Sequence, residues 1–323
     1  MIVTDAFVKD QYGSYATESL KNVGFDVDLI EVPVGEESKS LEQLSGILDC
    51  LIGHKFDRSS TLIALGGGVV GDLGGFAASV YMRGISYVQI PTTLQAQVDA
   101  SVGGKTAINH PKGKNLIGAF HQPKLVLIDV DALKTLPRRD IQAGLIEVIK
   151  MGVIRDKVLF TMVEKELESI INLHTPTLIE MIARACANKA DIVAKDEKEI
   201  GLRMVLNYGH TFGHALEALT HYKKYRHGEA VSIGMNCAAQ LAVNLGMFSE
   251  VDFERQRTLL SRANLPLTFP SDITPEEIYD TMSLDKKSFG GRLRLILPTC
   301  IGEVVIREDV TEQSIIQAIS QCY

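Results

Sequence analysis

The stretch Asn207-Tyr-Gly-His210-Thr-Phe-Gly-His214 carries two imidazoles four residues apart, and Asn207, His210, His214 and Glu217 follow one another at steps of three, four and three. On a helix those steps make one polar stripe, with Phe212, Leu216 and Leu219 on the other faces. Polar groups set among apolar neighbours must find partners, and two imidazoles at this spacing can share a metal ion. The metalloprotease version of that motif fails, because Thr211 stands where a zincin needs its glutamate. Taken singly, His210 or His214 reads better as a histidine satisfied in a core or on the surface than as a ligand. Two further features argue for more. His227-Gly228-Glu229 opens the next helical stretch and can fold back beside the stripe, and Glu147 lies in Leu145-Ile-Glu-Val-Ile-Lys150, apolar on both sides. A carboxylate and a lysine three apart in so apolar a helix are poorly explained as a solvated pair. Two imidazoles and one carboxylate with a fourth position open is the arrangement of a catalytic zinc. Spacing alone leaves open which two of His210, His214 and His227 would bind.

A second chemical feature lies nearer the start. Residues 61–65 read as a strand, Gly66-Gly-Gly-Val-Val-Gly71-Asp72 as a turn, and residues 73–81 as a helix. Gly66, Gly68 and Gly71 satisfy GxGxxG in the context where bare glycines let backbone N–H groups approach a pyrophosphate. The next strand ends in Gln89-Ile-Pro-Thr-Thr93 and not in the acidic residue that a Rossmann site offers the ribose, so the fingerprint is a variant. Standing alone, the glycines are equally a tight turn in an α/β sheet. Asp5 at the first strand end and Thr92-Thr93 at a later one add polar groups where open α/β sheets bind ligands.

The elements that must hold these groups fall into two regions. Up to about residue 130, β-branched runs (2–4, 27–32, 61–65, 87–90, 125–128) alternate with stretches of helical period such as 39–51, the pattern of a parallel sheet covered by helices. From residue 137 to about 265 long helices follow one another, and 292–297 with 303–306 read as a hairpin before a last helix. The expectation is an α/β nucleotide-binding domain over 1–136 and a mainly α-helical metal- and substrate-binding domain over 137–323. A formal charge of −7 from interspersed acids offers no basic surface to a nucleic acid. No stretch reaches the roughly 18 apolar residues of a membrane span and no signal peptide opens the chain, so a cytoplasmic protein is expected. Five cysteines without a CxxC pair argue against a disulfide framework and against thiolate zinc, so a metal here needs His and carboxylate ligands.

These segments together resemble the 3-dehydroquinate synthases, of the sugar phosphate cyclase superfamily. The likeness runs through Glu36-Glu-Ser-Lys39, Ala64-Leu-Gly-Gly-Gly-Val-Val-Gly-Asp72, Tyr81-Met-Arg-Gly84, Ile90-Pro-Thr-Thr93, Gln97-Val-Asp-Ala-Ser-Val-Gly-Gly-Lys105, Gly113-Lys-Asn115, Glu147-Val-Ile-Lys150, Leu206-Asn-Tyr-Gly-His210 and His227-Gly-Glu229. The resemblance implies the dehydroquinate synthase-like fold and a metal, zinc or cobalt, at Glu147, His210 and His227. It implies NAD held by Glu36, Lys39, Gly68, Val69, Val70, Gly71, Asp72, Thr92, Thr93, Lys105, Lys114, Ala132, Leu133, Lys134 and Thr135, with Asp5 at the first strand end. Substrate contacts fall on Asp99, Lys105, Lys114, Asn115, Lys150, Lys189, Arg203, Asn207, His214 and Lys287, wedging a phosphorylated keto acid between the domains. The implied reaction oxidises 3-deoxy-D-arabino-heptulosonate 7-phosphate transiently with NAD, eliminates phosphate, reduces again and closes the ring by an aldol step. A homodimer is the expected assembly. Family members usually carry further strands ahead of the position of Met1, so the expectation is either that the start is mis-set or truncated or that the chain tolerates an uncovered sheet edge, a liability for aggregation. Competing readings are another sugar phosphate cyclase acting on a substrate without the carboxylate, a metal-dependent polyol dehydrogenase, and a non-catalytic homologue.

Overall fold

A computed structural model describes residues 1–284 and 293–323, and the chain divides into two compact units, Met1–Leu136 and Pro137–Tyr323. The first unit runs β1 (Ile2–Asp5), α1 (Ala6–Val8), α2 (Ser14–Asn22), β2 (Leu29–Val32), α3 (Leu41–Gly53), β3 (Thr61–Gly66), α4 (Gly68–Val80), β4 (Ser86–Pro91), β5 (Lys105–His110), β6 (Gly113–Phe120) and β7 (Leu125–Val126). Five strands form a parallel sheet in the order β2-β1-β3-β4-β7. Along β1 the side chains alternate between two cores. Val3 packs with Leu51, Leu62, Leu73 and Tyr87, while Ile2 packs with Val8, Val27 and Leu65. Both faces are therefore covered, as a parallel sheet requires. This strand order reverses direction between β1 and β3, and in open α/β sheets that reversal is where ligands bind, beyond the carboxyl ends of the strands. Asp5 and Gly66 end those two strands.

Three features of this unit differ from the sequence-based expectation. The glycine-rich segment is mostly helix, because α4 begins at Gly68 and leaves only Gly66-Gly67 as the turn. Glycine disfavours helix interiors by about 1 kcal/mol relative to alanine, but here close packing overrides that: a Cβ on Gly71 would lie 2.9 Å from Gln89 Oε1, and one on Gly75 2.5 Å from Thr106 Cγ2. Lys39 and Ser40 precede α3, whose N-cap is Ser40 accepting the Gln43 N–H. The antiparallel β5-β6 hairpin stands where the sequence pattern gives no strand signal. Its second strand, Gly-Lys-Asn-Leu-Ile-Gly-Ala-Phe, is poor in strand-forming residues and shows no clean alternation. The paired Gly103-Gly104 that feeds it has φ of 110° and 68°, a region that favours glycine.

The second unit runs α5 (Arg138–Ile154), α6 (Lys157–Ile171), α7 (Thr175–Lys195), α8 (His210–Leu219), α9 (His227–Asn244), α10 (Glu250–Arg262), α11 (Pro275–Leu284), β8 (Leu295–Cys300), β9 (Glu303–Arg307) and α12 (Glu312–Ser320). α5 is buried on all sides from Ile141 to Ile154, and α9 nearly so, which makes these two the centre of the unit. Among the described residues no helix is long and apolar enough to cross a membrane. Lys287 lies outside the described residues.

Candidate active site

The expected stripe from Asn207 to Glu217 is broken. Asn207 ends a 3₁₀ turn, Leu202–Asn207, and Gly209 at φ 78° separates it from α8, so Asn207 does not share a helix face with His210. Its amide instead donates to Glu199 Oε1 at 2.9 Å. His210, His214 and Glu217 do lie on α8. Close backbone contact brings that helix to α9: a Cβ on Gly234 would collide with the Gly209 carbonyl, and one on Gly213 would lie 3.1 Å from the Ala230 backbone. At the start of α9, Gly228 sits against the Ala143 carbonyl of α5, where a Cβ has no room. Glu229 locks the same end, taking the Arg226 N–H at 2.9 Å and the Arg139 guanidinium through both oxygens at 2.6 and 2.7 Å.

These approaches gather three imidazoles and a carboxylate. The His210 ring centroid is 5.2 Å from that of His227 and 5.4 Å from that of His214. The Nε2 atoms of His210 and His227 each lie 3.8 Å from Oε1 of Glu147. Ligand atoms about 2.1 Å from one tetrahedral metal would stand about 3.4 Å apart, so a small inward adjustment completes a site. Glu147 is 3% exposed, and neither of its carboxylate oxygens accepts a hydrogen bond. The Lys150 ammonium lies against Oε2 as an ion pair, without hydrogen-bond geometry, and both partners are buried. A buried carboxylate lacking donors is costly, and a divalent ion at Oε1 would meet that need.

The ring orientations agree. Nδ1 of His210 faces the Tyr208 carbonyl at 3.1 Å, and Nδ1 of His227 faces Glu217 Oε2 at 3.2 Å. Each Nδ1–H can donate there, leaving both Nε2 lone pairs turned toward Glu147, the usual support of metal-binding imidazoles. Burial pushes His210 well below the ordinary imidazole range, and the Lys150 charge adds to this, so the ring is held neutral as a ligand must be. Burial also pulls His227 down, but the hydrogen bond and charge of Glu217, with the charge of Glu147, outweigh it and raise its pKa. A second trio, His214, Glu217 and His227, also keeps its donor atoms within 4.8 Å of one another, but His214 is exposed.

The cations expected to meet substrate have different surroundings. Lys150, Lys189 and Arg203 are all buried, on α5, on α7 and in the 3₁₀ turn before α8. Arg203 Nη1 donates to the Glu197 carbonyl at 2.6 Å.

In the first unit several of the expected cofactor residues meet one another. Lys39 is buried; its ammonium donates to Asp72 at 2.7 Å and to Asn115 at 2.5 Å. Glu36 Oε1 accepts the Asn109 amide at 2.8 Å and stands 3.8 Å from Lys114. Asn109, which sequence reasoning passed over, also accepts the Asn115 N–H at 3.0 Å, so β5 carries the hub of this network. Burial pushes the Asp72 carboxyl up, against the opposing pull of Lys39. Gly67, the N-cap of α4, makes no side-chain cap bond to the first turn, as suits an anion site at that helix start. Asp5 is committed to capping α1, accepting the Val8 N–H at 2.9 Å. Thr92 is buried with its N–H on the Gly66 carbonyl, and the Thr93 hydroxyl accepts the Ala96 N–H. Ala132, Leu133, Lys134 and Thr135 lie in a 3₁₀ turn; Thr135 meets the Tyr12 hydroxyl at 2.8 Å and Lys134 pairs with Asp131. Lys105 is exposed at the start of β5, and Asp99 lies in the turn Ala96–Ala100.

A nucleotide-type parallel sheet in one unit and a buried Glu–His–His cluster in a helical second unit point to the class of the sugar phosphate cyclases. A glycerol dehydrogenase from Sinorhizobium meliloti shares the fold, with TM-score 0.67 at 15% identity over 99% of this chain and 89% of its own. The likeness is closer to 2-epi-5-epi-valiolone synthase from Streptomyces hygroscopicus, solved with NAD+ and Zn2+ bound, at TM-score 0.93 and 30% identity over 99% of this chain and 89% of that one. A 2-deoxy-scyllo-inosose synthase complexed with carbaglucose-6-phosphate, NAD+ and Co2+ follows at TM-score 0.89 and 28% identity, over 100% of this chain and 90% of that one. Family models for the 3-dehydroquinate synthase N-terminal and C-terminal regions match residues 29–143 and 144–288. The 3-dehydroquinate synthase of Desulforamulus reducens is 52% identical over 99% of this chain and 89% of its own length, and that of Nostoc punctiforme 49% identical over 99% and 88%. The chain belongs to the 3-dehydroquinate synthase family.

Proposed function

We propose that this chain converts 3-deoxy-D-arabino-heptulosonate 7-phosphate to 3-dehydroquinate and phosphate, a carbon–oxygen lyase reaction of the shikimate pathway, using NAD and one divalent metal ion, zinc or cobalt. Identity of 52% to a 3-dehydroquinate synthase, against 30% and 28% to the cyclases of other named products, supports this substrate. The geometric observation that carries the reading is the buried Glu147 carboxylate, without a hydrogen-bond donor and faced by two imidazole Nε2 atoms.

Glu147, His210 and His227 would hold the metal, and the start of α4 with Glu36, Lys39, Asp72, Lys114 and Asn115 would hold the nucleotide side. When bound, the metal supplies Lewis acidity to substrate hydroxyls and NAD a reversible oxidation, so the cycle needs no outside oxidant. The chain's own contribution is charge and position. Lys150, Lys189 and Arg203 are cations already desolvated by burial, where charge-assisted bonds to a carboxylate or phosphate are strongest. His214, exposed beside the two inward imidazoles, is placed to hold or move a proton at a substrate hydroxyl. A cytoplasmic homodimer belongs to the same reading; all five cysteines are free, in keeping with a reducing compartment.

The test is to incubate the purified chain with the heptulosonate phosphate and NAD, with and without a chelator, following phosphate and NADH together. Phosphate release without net NADH, abolished by the chelator and by Glu147→Ala, is expected. Accumulating NADH would make the chain a dehydrogenase, and faster phosphate release from sedoheptulose 7-phosphate would make it another cyclase.

A further inference from the structure

We propose that Glu217 is a positioning residue for the metal site: its carboxylate holds the Nδ1 proton of His227 and thereby turns Nε2 of that ring toward Glu147. The proposal rests on the reading of Glu147, His210 and His227 as the metal ligands, and it concerns a residue outside that set.

His227 is the first residue of α9, and its side chain is 28% exposed, so packing alone does not fix its ring. Glu217 comes from a different helix, seven residues after His210 and so on the same face of α8, and is buried. Its Oε2 stands 3.2 Å from Nδ1 of His227, while Nε2 on the far side of that ring stands 3.8 Å from Glu147 Oε1. The two carboxylates thus bracket one imidazole. With Nδ1 committed as a donor, only Nε2 has a lone pair, and it faces the metal position. His210 is supported by a neutral carbonyl, that of Tyr208. His227 is supported by a charged carboxylate, which makes it the more basic ligand, and such partners commonly change metal affinity 10- to 100-fold.

One rival use of Glu217 exists. With His214 and His227 it forms the second trio of donor atoms within 4.8 Å, and there it would itself be a ligand to a second ion. The 3.2 Å contact favours the positioning role, because it already occupies Nδ1 of His227 with a hydrogen bond.

The experiment titrates metal-free full-length protein with Co2+, recording ions bound per chain, dissociation constant and visible absorption, for the unsubstituted chain, Glu217→Gln and His210→Ala. The melting temperature of each metal-free protein is measured alongside. The expected result is one tight ion in the unsubstituted chain. Glu217→Gln should also bind one ion, about 10- to 100-fold more weakly, with the same absorption bands and a metal-free melting temperature close to that of the unsubstituted chain. Unchanged affinity in Glu217→Gln overturns the proposal while leaving the ligand set standing. Two ions falling to one makes Glu217 a ligand and also overturns it, as does weaker binding matched by a comparable drop in metal-free stability. Failure of the unsubstituted chain to bind cobalt, or full binding by His210→Ala, removes the ligand reading itself.

Discussion

The glycine at position 228 makes the sharpest prediction, because the geometry of the proposed metal site depends on how closely α9 approaches α5. A Cβ built there would collide with the Ala143 carbonyl oxygen and lie 2.6 Å from its carbon and 2.9 Å from the Ala143 Cα. Carbon atoms prefer separations of about 3.5–4.0 Å, so Gly228→Ala must push the start of α9 away by about 1 Å. Overpacking of this kind costs about 1–3 kcal/mol, and since backbone of a buried helix is the obstacle, the upper end applies. His227 is the adjacent residue, so its Nε2 moves from its proposed ligand position, 3.8 Å from Glu147, by a comparable amount. A misplacement of about 1 Å at a reacting centre can cost about 100-fold in turnover. Urea unfolding followed by far-ultraviolet circular dichroism gives the first quantity, and metal titration with the phosphate-release assay gives the second. Gly46→Ala is the matched control. Gly46 is exposed inside α3 with nothing within 4 Å of its virtual Cβ, so alanine there should stabilise by about 0.5–1 kcal/mol. The reasoning is refuted if Gly228→Ala unfolds at the same urea concentration as the unsubstituted chain and binds metal equally well.

Two further expectations follow from other parts of the second unit. His214→Ala should keep its metal while turnover falls about 100-fold or more, as for loss of a proton-handling group, whereas His210→Ala should lose the metal; elemental analysis showing equal metal loss in both would return His214 to the ligand set. The Asp156 carboxyl should set part of the acid limit. Burial alone would raise its pKa, but Arg184, Asn188 and the Leu159 N–H outweigh this and hold it at about 2, below the ordinary 3.8. A depressed carboxyl contributes its stability above pH 3.8 and loses it as pH falls toward 2. That contribution is at most about 2 kcal/mol, and nearer 1 kcal/mol because the Arg184 side chain is partly solvated. Arg184→Leu should shrink it, and parallel urea midpoints for both proteins from pH 5 to pH 2 would show that the pair contributes nothing.

The parts of this molecule that could be read from sequence are those governed by local pattern. The parallel strands were visible because both faces of the sheet are covered, so β1, β3 and β4 appear as short apolar runs between helical stretches. The apolar setting of Glu147 and Lys150 likewise announced a buried pair. What spacing could not supply was anything fixed by contact between distant segments. The glycines of 66–72 look like a long turn until Gln89 and Thr106 are seen to need the space their missing side chains leave, which lets the helix begin at Gly68. β6 pairs with β5 despite its own weak propensity, since the ladder is paid for by partners and not by local preference. Counting by helical steps puts Asn207 on the face of His210, yet Gly209 at φ 78° ends that count. The choice among three histidines shows the limit most clearly. Periodicity relates His210 to His214 and Glu217 but says nothing of His227 or Glu147, which arrive on other helices. Their meeting depends on backbone contact at Gly228 and Gly234, two residues that in a sequence look only like poor helix formers. In this family member the gathering of Glu147, His210 and His227, the proposed ligands, thus depends less on those residues than on the glycines that let their helices touch.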